Sequence, residues 1–184
     1  GTDAIKQALI YKTAAVTPMG EYKILDSTVD PRFLDDYNRP VLAQSFADNL
    51  TGSIFTVAVN HLKSKGSACD DVGDPDLGDG AGNCNIIRTL GAEALMDWLA
   101  TDPTGSGNDN VLIVGDLNSY DKEDPIFAIR EGADDVIGTD DDYLDLTFEF
   151  EGEEAYSYVF DGQIGYLDYA LSPALSDKIT GAGV

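Results

Sequence analysis

One short stretch, residues 111–119, constrains the fold of this chain more than any other. Its first four residues are apolar, three of them β-branched, and they follow a loop of Gly, Asn and Asp. This pattern predicts a strand that is buried on both faces. After Gly115, Asp116 and Asn118 stand two residues apart, so both can face one pocket at the carboxyl end of the strand. Their hard oxygen atoms suit Mg²⁺, Mn²⁺ or Ca²⁺, but a turn in which one of them caps the next helix fits the pattern equally well.

The elements before this strand predict a sheet with a helix packed on it. Residues 39–47 and 54–61 have the composition of two strands joined by a turn at 48–53. Apolar residues spaced by three and four predict an amphipathic helix over 86–100, with Asn85 as its N-cap. The order of hairpin, helix and strand is typical of an α+β fold.

Weaker patterns complete the predicted order of elements. Residues 124–129 favour a short helix with Pro in its first turn, and residues 156–160 and 166–171 favour strands. Near the start, residues 4–16 suit strand structure around a turn, whereas residues 18–38 predict an irregular surface excursion. The sequence contains no internal repeat and no clear domain boundary, so we expect one domain.

The charge of the chain limits its direct partners. Its 184 residues are 43% hydrophobic, which is enough for one real core. Because 11 Lys and Arg stand against 34 Asp and Glu, the net charge is −23. Such a surface repels polyanions, so nucleic acid or a phosphorylated lipid would need bridging cations or a local basic patch. No apolar run approaches the length of a membrane span.

Two cysteines bracket a polar loop. A disulfide between Cys69 and Cys84 would close a loop of about 15 residues and contribute about 3 kcal/mol in the chain-entropy model. A disulfide favours an oxidising compartment, and two independent thiols are the alternative. Within residues 70–80, carboxylates interleaved with glycines can wrap Ca²⁺, as can the acidic residues of 134–142. A solvated acidic loop is the alternative in both places.

Two further predicted strands carry polar residues that could belong to a site. His61, the only histidine, ends the second hairpin strand directly after Asn60. Lys63 and Lys65 follow it, and they supply either positive charge for a phosphate or the solvated residues of a loop. Asp168 lies within an apolar, aromatic strand, where a carboxylate needs a metal, a catalytic partner or a hydrogen bond to the backbone.

Three segments in order, residues 59–64, 115–119 and 157–171, resemble the motifs of the endonuclease/exonuclease/phosphatase superfamily, which includes deoxyribonuclease I. The residues of these three segments are most similar to those of the large secreted bacterial nucleases of that superfamily. The resemblance implies part of a DNase I-like α/β sandwich, with mixed, mainly antiparallel sheet layers and flanking helices. We therefore expect residues 1–184 to be a single partial domain that lacks the N-terminal and C-terminal portions, with their metal-binding Glu and catalytic His.

The resemblance also implies a role for each matching residue. Asp116 and Asn118 match positions that hold or orient a metal-bound water and contact the scissile phosphate. His61 matches a histidine that hydrogen-bonds a phosphate oxygen. Asp168 matches a carboxylate that orients the catalytic His. Phosphodiester hydrolysis needs an activated water and neutralisation of charge on the phosphate, which a divalent cation and nearby donors supply.

The resulting hypothesis is a secreted or cell-surface bacterial enzyme that cleaves nucleic acid with Mg²⁺ or Mn²⁺. Further substrate contacts are expected at Asn60 and Lys63. The 184 residues alone are expected to show little or no turnover. Two alternatives stay open: a phosphomonoesterase or lipid phosphodiesterase of the same superfamily, and a surface module that Ca²⁺ stabilises and that performs no chemistry.

Overall fold

The structure, a computed structural model, describes residues 5–173, 179 and 181–182. In chain order the strands are β1 (Val16–Leu25), β2 (Arg39–Asp48), β3 (Ile54–His61), β4 (Val111–Asp116), β5 (Tyr143–Asp145), β6 (Tyr158–Phe160), β7 (Gln163–Gly165) and β8 (Asp168–Pro173). The helices are α1 (Asn85–Ala100), α2 (Asp124–Arg130) and α3 (Leu146–Glu151), with short 3₁₀ turns at Asp70–Val72 and Gly152–Glu154. Within this described part, six strands form one sheet in the order β1-β2-β3-β4-β8-β5, and β6 and β7 pair separately.

The sheet is mixed and mainly antiparallel. Only β3 and β4 run parallel among the neighbouring strands of the described part. Parallel neighbours need a long crossover connection, and α1 lies within the connection between them. The α+β class with a helix between the hairpin and the central strand is therefore confirmed. The parallel pairing also brings the carboxyl ends of β3 and β4 to the same edge of the sheet.

The hydrophobic core lies on one face of this sheet. Alternate residues of β3 and β4, such as Ala58 and Ile113, are fully buried and share one hydrophobic cluster with Leu95 of α1. Each fully buried Leu or Ile side chain contributes about 1.5–3 kcal/mol relative to an exposed one. Val59 and Val114, which alternate with these residues, are only partly buried. The helices therefore cover one face, and the end residues of β3 and β4 belong to the other.

The N-terminal prediction was wrong. Residues 5–15 contain no strand, and residue 4 lies outside the described residues. Instead β1 covers residues 18–25 of the region predicted to be irregular. Most of β1 is exposed, and its register with β2 shifts between Met19 and Lys23. An edge strand with a bulge does not need alternating apolar residues, so it leaves little pattern in the sequence.

Other boundaries differ by a few residues. β3 was predicted with its observed bounds, and β2 ends one residue later than predicted. α1 begins at Asn85, so the N-cap is Cys84 and the prediction of Asn85 as the cap was wrong. Asn85 instead donates through Nδ2 to Asp124 of α2 (2.7 Å). The pairing of β6 with β7 was not predicted.

The disulfide predicted between Cys69 and Cys84 is present. Both residues are fully buried and pack with Ile87 of α1. Carboxylates of the enclosed loop accept backbone N–H groups. Asp74 accepts from Ile87 (2.9 Å) and Asp76 accepts from Gly78 (2.8 Å). The loop is thus tied to the start of α1.

Candidate active site

Four neighbouring strands each contribute one polar side chain to a single row across the sheet. Arg39 of β2 pairs with His61 of β3, His61 pairs with Asp116 of β4, and Asp116 pairs with Asp168 of β8. Residues that pair in register on adjacent strands point to the same face. The structure therefore brings together three of the residues that the sequence singled out, His61, Asp116 and Asp168. We call these four residues the polar row.

The centre of the polar row is the pair of His61 and Asp116. The distance from His61 Nε2 to Asp116 Oδ2 is 3.7 Å, and the two side chains are 29% and 33% exposed. Burial raises the pKa of the Asp116 carboxyl, and the charge of Asp168 raises it further, whereas the Asn118 N–H, His61 and Arg39 lower it. Two facing carboxylates, one of them partly removed from water, favour the arrival of a cation.

Asn118 is locked between the ends of β3 and β4. Its backbone N–H donates to Asp116 Oδ1 (2.9 Å), and its side-chain Nδ2 donates to the Leu62 carbonyl (3.0 Å). The residue has a φ of 49°, a left-handed conformation that Asn tolerates better than most residues. The alternative that Asp116 or Asn118 caps the next helix was wrong, because Glu123 holds the N-cap position of α2.

Gly115 allows the end of β4 to lie close to the backbone of β3. Its φ is +129°, and a Cβ at this position would lie 2.0 Å from the carbonyl oxygen of Asn60 on the neighbouring strand. A residue with a side chain would therefore clash with the β3 backbone directly beside the polar row. Glycine lets the two strands stay paired up to His61 and Asp116.

Asn60 and Lys63, the two residues expected to contact substrate, are not part of the polar row. Asn60 is 2% exposed, and strand alternation directs it to the face opposite His61. Lys63 is half-buried; its backbone N–H donates to Asn38 Oδ1 (2.9 Å), and its Nζ lies 5.7 Å from the ring centroid of Tyr37. Substrate contacts by Asn60 and Lys63 stay predictions.

Lys65 has neither of the two roles that the sequence suggested. It is 2% exposed, and its Nζ forms an ion pair with Glu123. The same Nζ lies 4.3 Å from the ring centroid of Tyr120 and 5.4 Å from that of Phe160. Lys65 is therefore a buried structural cation, not a phosphate ligand or a solvated loop residue. Burial raises the pKa of Glu123, and Lys65 opposes that shift.

Two arginines near the site were missed by the sequence analysis. The sequence predicted Arg39 as the first residue of a strand and gave it no role in a site, although it shares the polar row with His61. Arg88 is fully buried in α1. The helical spacing of the sequence indicated that Arg88 is buried. It stands three, four and seven residues before Gly91, Ala92 and Leu95, which are all on the buried face of the helix.

The side chains of Asp116, Asp168 and Asn118 could hold a divalent cation only together with water or substrate. Asp116, Asp168 and the amide of Asn118 offer hard oxygen atoms but too few for a complete shell. Mg²⁺ commonly keeps several waters and is held by one or two carboxylates together with substrate phosphate. In the part of the chain that the structure describes, no group of three or more His, Cys, Asp or Glu side chains could hold a metal ion.

Comparisons with known proteins agree on the fold. No protein-family model matches the chain, and no curated protein matches it. None of the helices in the described residues is long and apolar enough to cross a membrane. Solved structures do match this chain.

The human Nocturnin catalytic domain with bound sulfate is 14% identical, with a TM-score of 0.61, over 89% of this chain and 50% of that one. An endonuclease/exonuclease/phosphatase family protein from Bacteroides thetaiotaomicron is 15% identical, with a TM-score of 0.57, over 89% and 54%. D. rerio TDP2 complexed with single-strand DNA product is 14% identical, with a TM-score of 0.51, over 87% and 54%. The chain thus spans about half the length of these neighbours. At such identities the likeness shows the fold, which is the DNase I-like fold of endonuclease/exonuclease/phosphatase proteins.

Proposed function

We propose that the polar row is the site of a divalent-metal-dependent phosphodiester hydrolysis, and that the substrate is nucleic acid. The observation that carries the proposal is the alignment of His61, Asp116 and Asp168 on three adjacent strands at one edge of the sheet. The structural neighbours support it, since one was crystallised with a DNA product and another with sulfate, an anion similar in shape to phosphate. We further propose that residues 1–184 form one part of such a catalytic domain.

In this proposal His61, Asp116 and Asn118 have separate tasks. A bound Mg²⁺ or Mn²⁺, held by Asp116 and Asn118 with Asp168 nearby, would neutralise phosphate charge and acidify water. His61 donates a hydrogen bond from its ring to a phosphate oxygen, and its positive charge, when protonated, offsets the charge that develops there. The Asp116 carboxylate accepts a hydrogen bond from the attacking water.

The net charge of −23 makes the cation central to substrate binding as well. A strongly acidic surface repels a nucleic acid at long range. Only a high ionic strength, which shortens the Debye length, screens that repulsion. Arg39 is a permanent positive charge within the polar row, and a divalent cation beside it would complete a local site for phosphate. We therefore expect binding of nucleic acid to depend steeply on the divalent cation.

The location of the protein is also a proposal. The disulfide Cys69–Cys84 is buried and ties a polar loop to α1. Structural disulfides of this kind persist in oxidising environments and are rare in reducing ones. We propose that the protein works outside the cytoplasm, in secreted form or at a cell surface.

The proposal is tested with the full-length protein on labelled single-stranded and double-stranded DNA, with and without Mg²⁺ or Mn²⁺. We expect cleavage that EDTA abolishes. Asp140→Ala, which removes an exposed carboxylate far along the chain from the row, should leave cleavage unchanged. Parallel assays use p-nitrophenyl phosphate for a phosphomonoesterase and sphingomyelin vesicles for a lipid phosphodiesterase. Hydrolysis of only one of these substrates would replace the nucleic-acid proposal, and Ca²⁺-dependent stabilisation without any hydrolysis would favour a surface module.

A further inference from the structure

Arg88 is a buried cation with an unusual set of partners. It lies on α1, its exposure is 0%, and it makes four hydrogen bonds. Nε donates to the hydroxyl of Ser119 (3.0 Å), and Nη1 donates to the carbonyls of Lys63 (3.3 Å) and Asn83 (2.6 Å). Nη2 donates to the carbonyl of Ala81 (2.8 Å). The guanidinium thus uses its planar set of donors on uncharged acceptors.

Two of these partners belong to the segments that carry the polar row. Lys63 stands two residues after His61, and Ser119 stands three residues after Asp116. One arginine therefore contacts the chain directly beyond the end of β3 and directly beyond the end of β4. The remaining partners lie in the loop that the disulfide closes, so the guanidinium also hydrogen-bonds this loop.

The Ser119 end of this contact is held from a second side. The hydroxyl of Tyr169 on β8 donates to the backbone carbonyl of Ser119 (3.0 Å), and Tyr169 directly follows Asp168. Ser119 is fully buried. A short path of hydrogen bonds thus runs from Arg88 through Ser119 to the strand that carries the second carboxylate of the polar row.

Packing alone does not explain a cation at this position. Among the described residues, Glu123 forms an ion pair with Arg88, with Oε2 3.8 Å from Nη2, and Glu123 also forms an ion pair with Lys65. Burial lowers the pKa of Arg88 to about 10, which reports the cost of keeping the charge there. Buried charges seldom add net stability compared with apolar residues of similar volume.

We propose that Arg88 is a positioning residue, which fixes the spacing between the ends of β3 and β4 and thereby the distance between His61 and Asp116. The inference rests on the proposed function, because positioning matters only if the polar row acts on a substrate. Arg88 does not touch the substrate itself. Its effect reaches the site through Ser119 and through the carbonyl of Lys63.

The variants Arg88→Lys and Ser119→Ala test this directly in the full-length protein. Lys keeps the charge but cannot reach four acceptors, and Ala at 119 removes one bond while Arg88 stays in place. We expect kcat for DNA cleavage to fall by about 10- to 100-fold with KM within about twofold, because a small misplacement of reacting groups lowers the rate of chemistry. The double variant should fall no further than the worse single variant, since both act through one contact. Thr89→Ala is the matched control, because the Thr89 hydroxyl donates within α1, to the Asn85 carbonyl (2.8 Å), and has no other hydrogen-bond partner among the residues that the structure describes.

A second readout does not depend on activity. His61 is the only histidine of residues 1–184, and its ring ¹H–¹⁵N signals in the NMR spectrum of the full-length protein are assigned by their loss in His61→Gln. At one fixed pH, Arg88→Lys and Ser119→Ala should shift these signals, and Thr89→Ala should not. Wild-type kcat together with unmoved ring signals in both variants would overturn the proposal. If the wild-type protein cleaves nothing, the proposed function fails, and the ring signals alone decide whether Arg88 sets the geometry of the strand ends.

Discussion

His61 and Asp116 end two parallel strands and face each other, with His61 Nε2 3.7 Å from Asp116 Oδ2. The strands are brought side by side by a helical crossover, and the side chains meet because His61 and Asp116 are in register. Asp168 extends the same row from the antiparallel strand on the other side. This arrangement concentrates charge at one edge of the sheet.

Removing the charge of Asp116 should stabilise the protein while it abolishes activity. Burial and Asp168 both raise the pKa of Asp116, so its ionised form at pH 7 costs folding free energy in the absence of a cation. Asp116→Asn keeps an oxygen for the Asn118 N–H. We expect the melting temperature at pH 7 to rise by a few degrees in EDTA, and this gain to vanish at acid pH, where Asp116 is protonated. Asp140→Asn should show no change, and a lower melting temperature for Asp116→Asn would contradict the electrostatic account.

Asp145 should make stability depend on pH in a predictable direction. Its side chain accepts from the Tyr166 hydroxyl (2.6 Å) and from the backbone N–H of Thr147 (3.0 Å), and burial raises its pKa above 3.8. Since the folded pKa is the higher one, stability present below pH 3.8 is lost as the pH rises through the folded pKa. Asp145→Asn removes this loss. Urea unfolding is measured at several pH values. The free energy of unfolding of the variant, relative to that of the wild type, should increase as the pH rises and then level off. A difference in unfolding free energy that is the same at every pH would contradict this account.

Gly115 should tolerate no side chain. A Cβ at residue 115 would lie 2.0 Å from the Asn60 carbonyl oxygen, and the φ of +129° disfavours any L-residue. We expect Gly115→Ala to lower the free energy of unfolding by about 2–5 kcal/mol, from strain and overpacking together. Gly78→Ala is the matched control, because Gly78 also has a positive φ but has nothing within 4 Å of a Cβ. Denaturant unfolding compares the two, and equal losses would show that the close approach of β3 and β4 has been misjudged.

The disulfide should contribute measurably to stability. Cys69 and Cys84 are 15 residues apart, and a loop of that size corresponds to about 3 kcal/mol in the chain-entropy model. The double variant Cys69→Ser, Cys84→Ser is expected to unfold at a correspondingly lower urea concentration. Dithiothreitol should lower the stability of the wild type to that of the variant and leave the variant unchanged. A wild type that is insensitive to the reductant and matches the variant would exclude this contribution.

The central strands could be predicted from the sequence because burial leaves a pattern there. β3 and β4 are runs of β-branched and apolar residues, and polar residues follow directly where each ends, so His61 and Asp116 were recognisable as strand-end residues. Asp168 was singled out as a carboxylate within an apolar strand over 166–171, and that reason was wrong, because Asp168 is exposed and is the first residue of β8, although it does pair with Asp116. The resemblance to known motifs added the expected roles.

The remaining parts of the site depend on register and burial, which a single sequence shows poorly. The place of Arg39 beside His61 follows from the pairing of β2 with β3, whose register shifts between Arg39 and Leu42. No local pattern reports such a shift. β1 was missed because it is an exposed edge strand. Arg88 was missed because a charged residue within an amphipathic helix is usually exposed, whereas here it is fully buried.

The most direct test is a double-mutant cycle on the central pair. Rates of Mn²⁺-dependent DNA cleavage by the full-length protein are measured for the wild type, His61→Ala, Asp116→Ala and the combined variant. If the two side chains act as one unit, each single variant loses at least about 10²-fold in kcat/KM, and the combined variant loses no more than the worse single one. Full activity in both single variants would show that the polar row is not the site of catalysis.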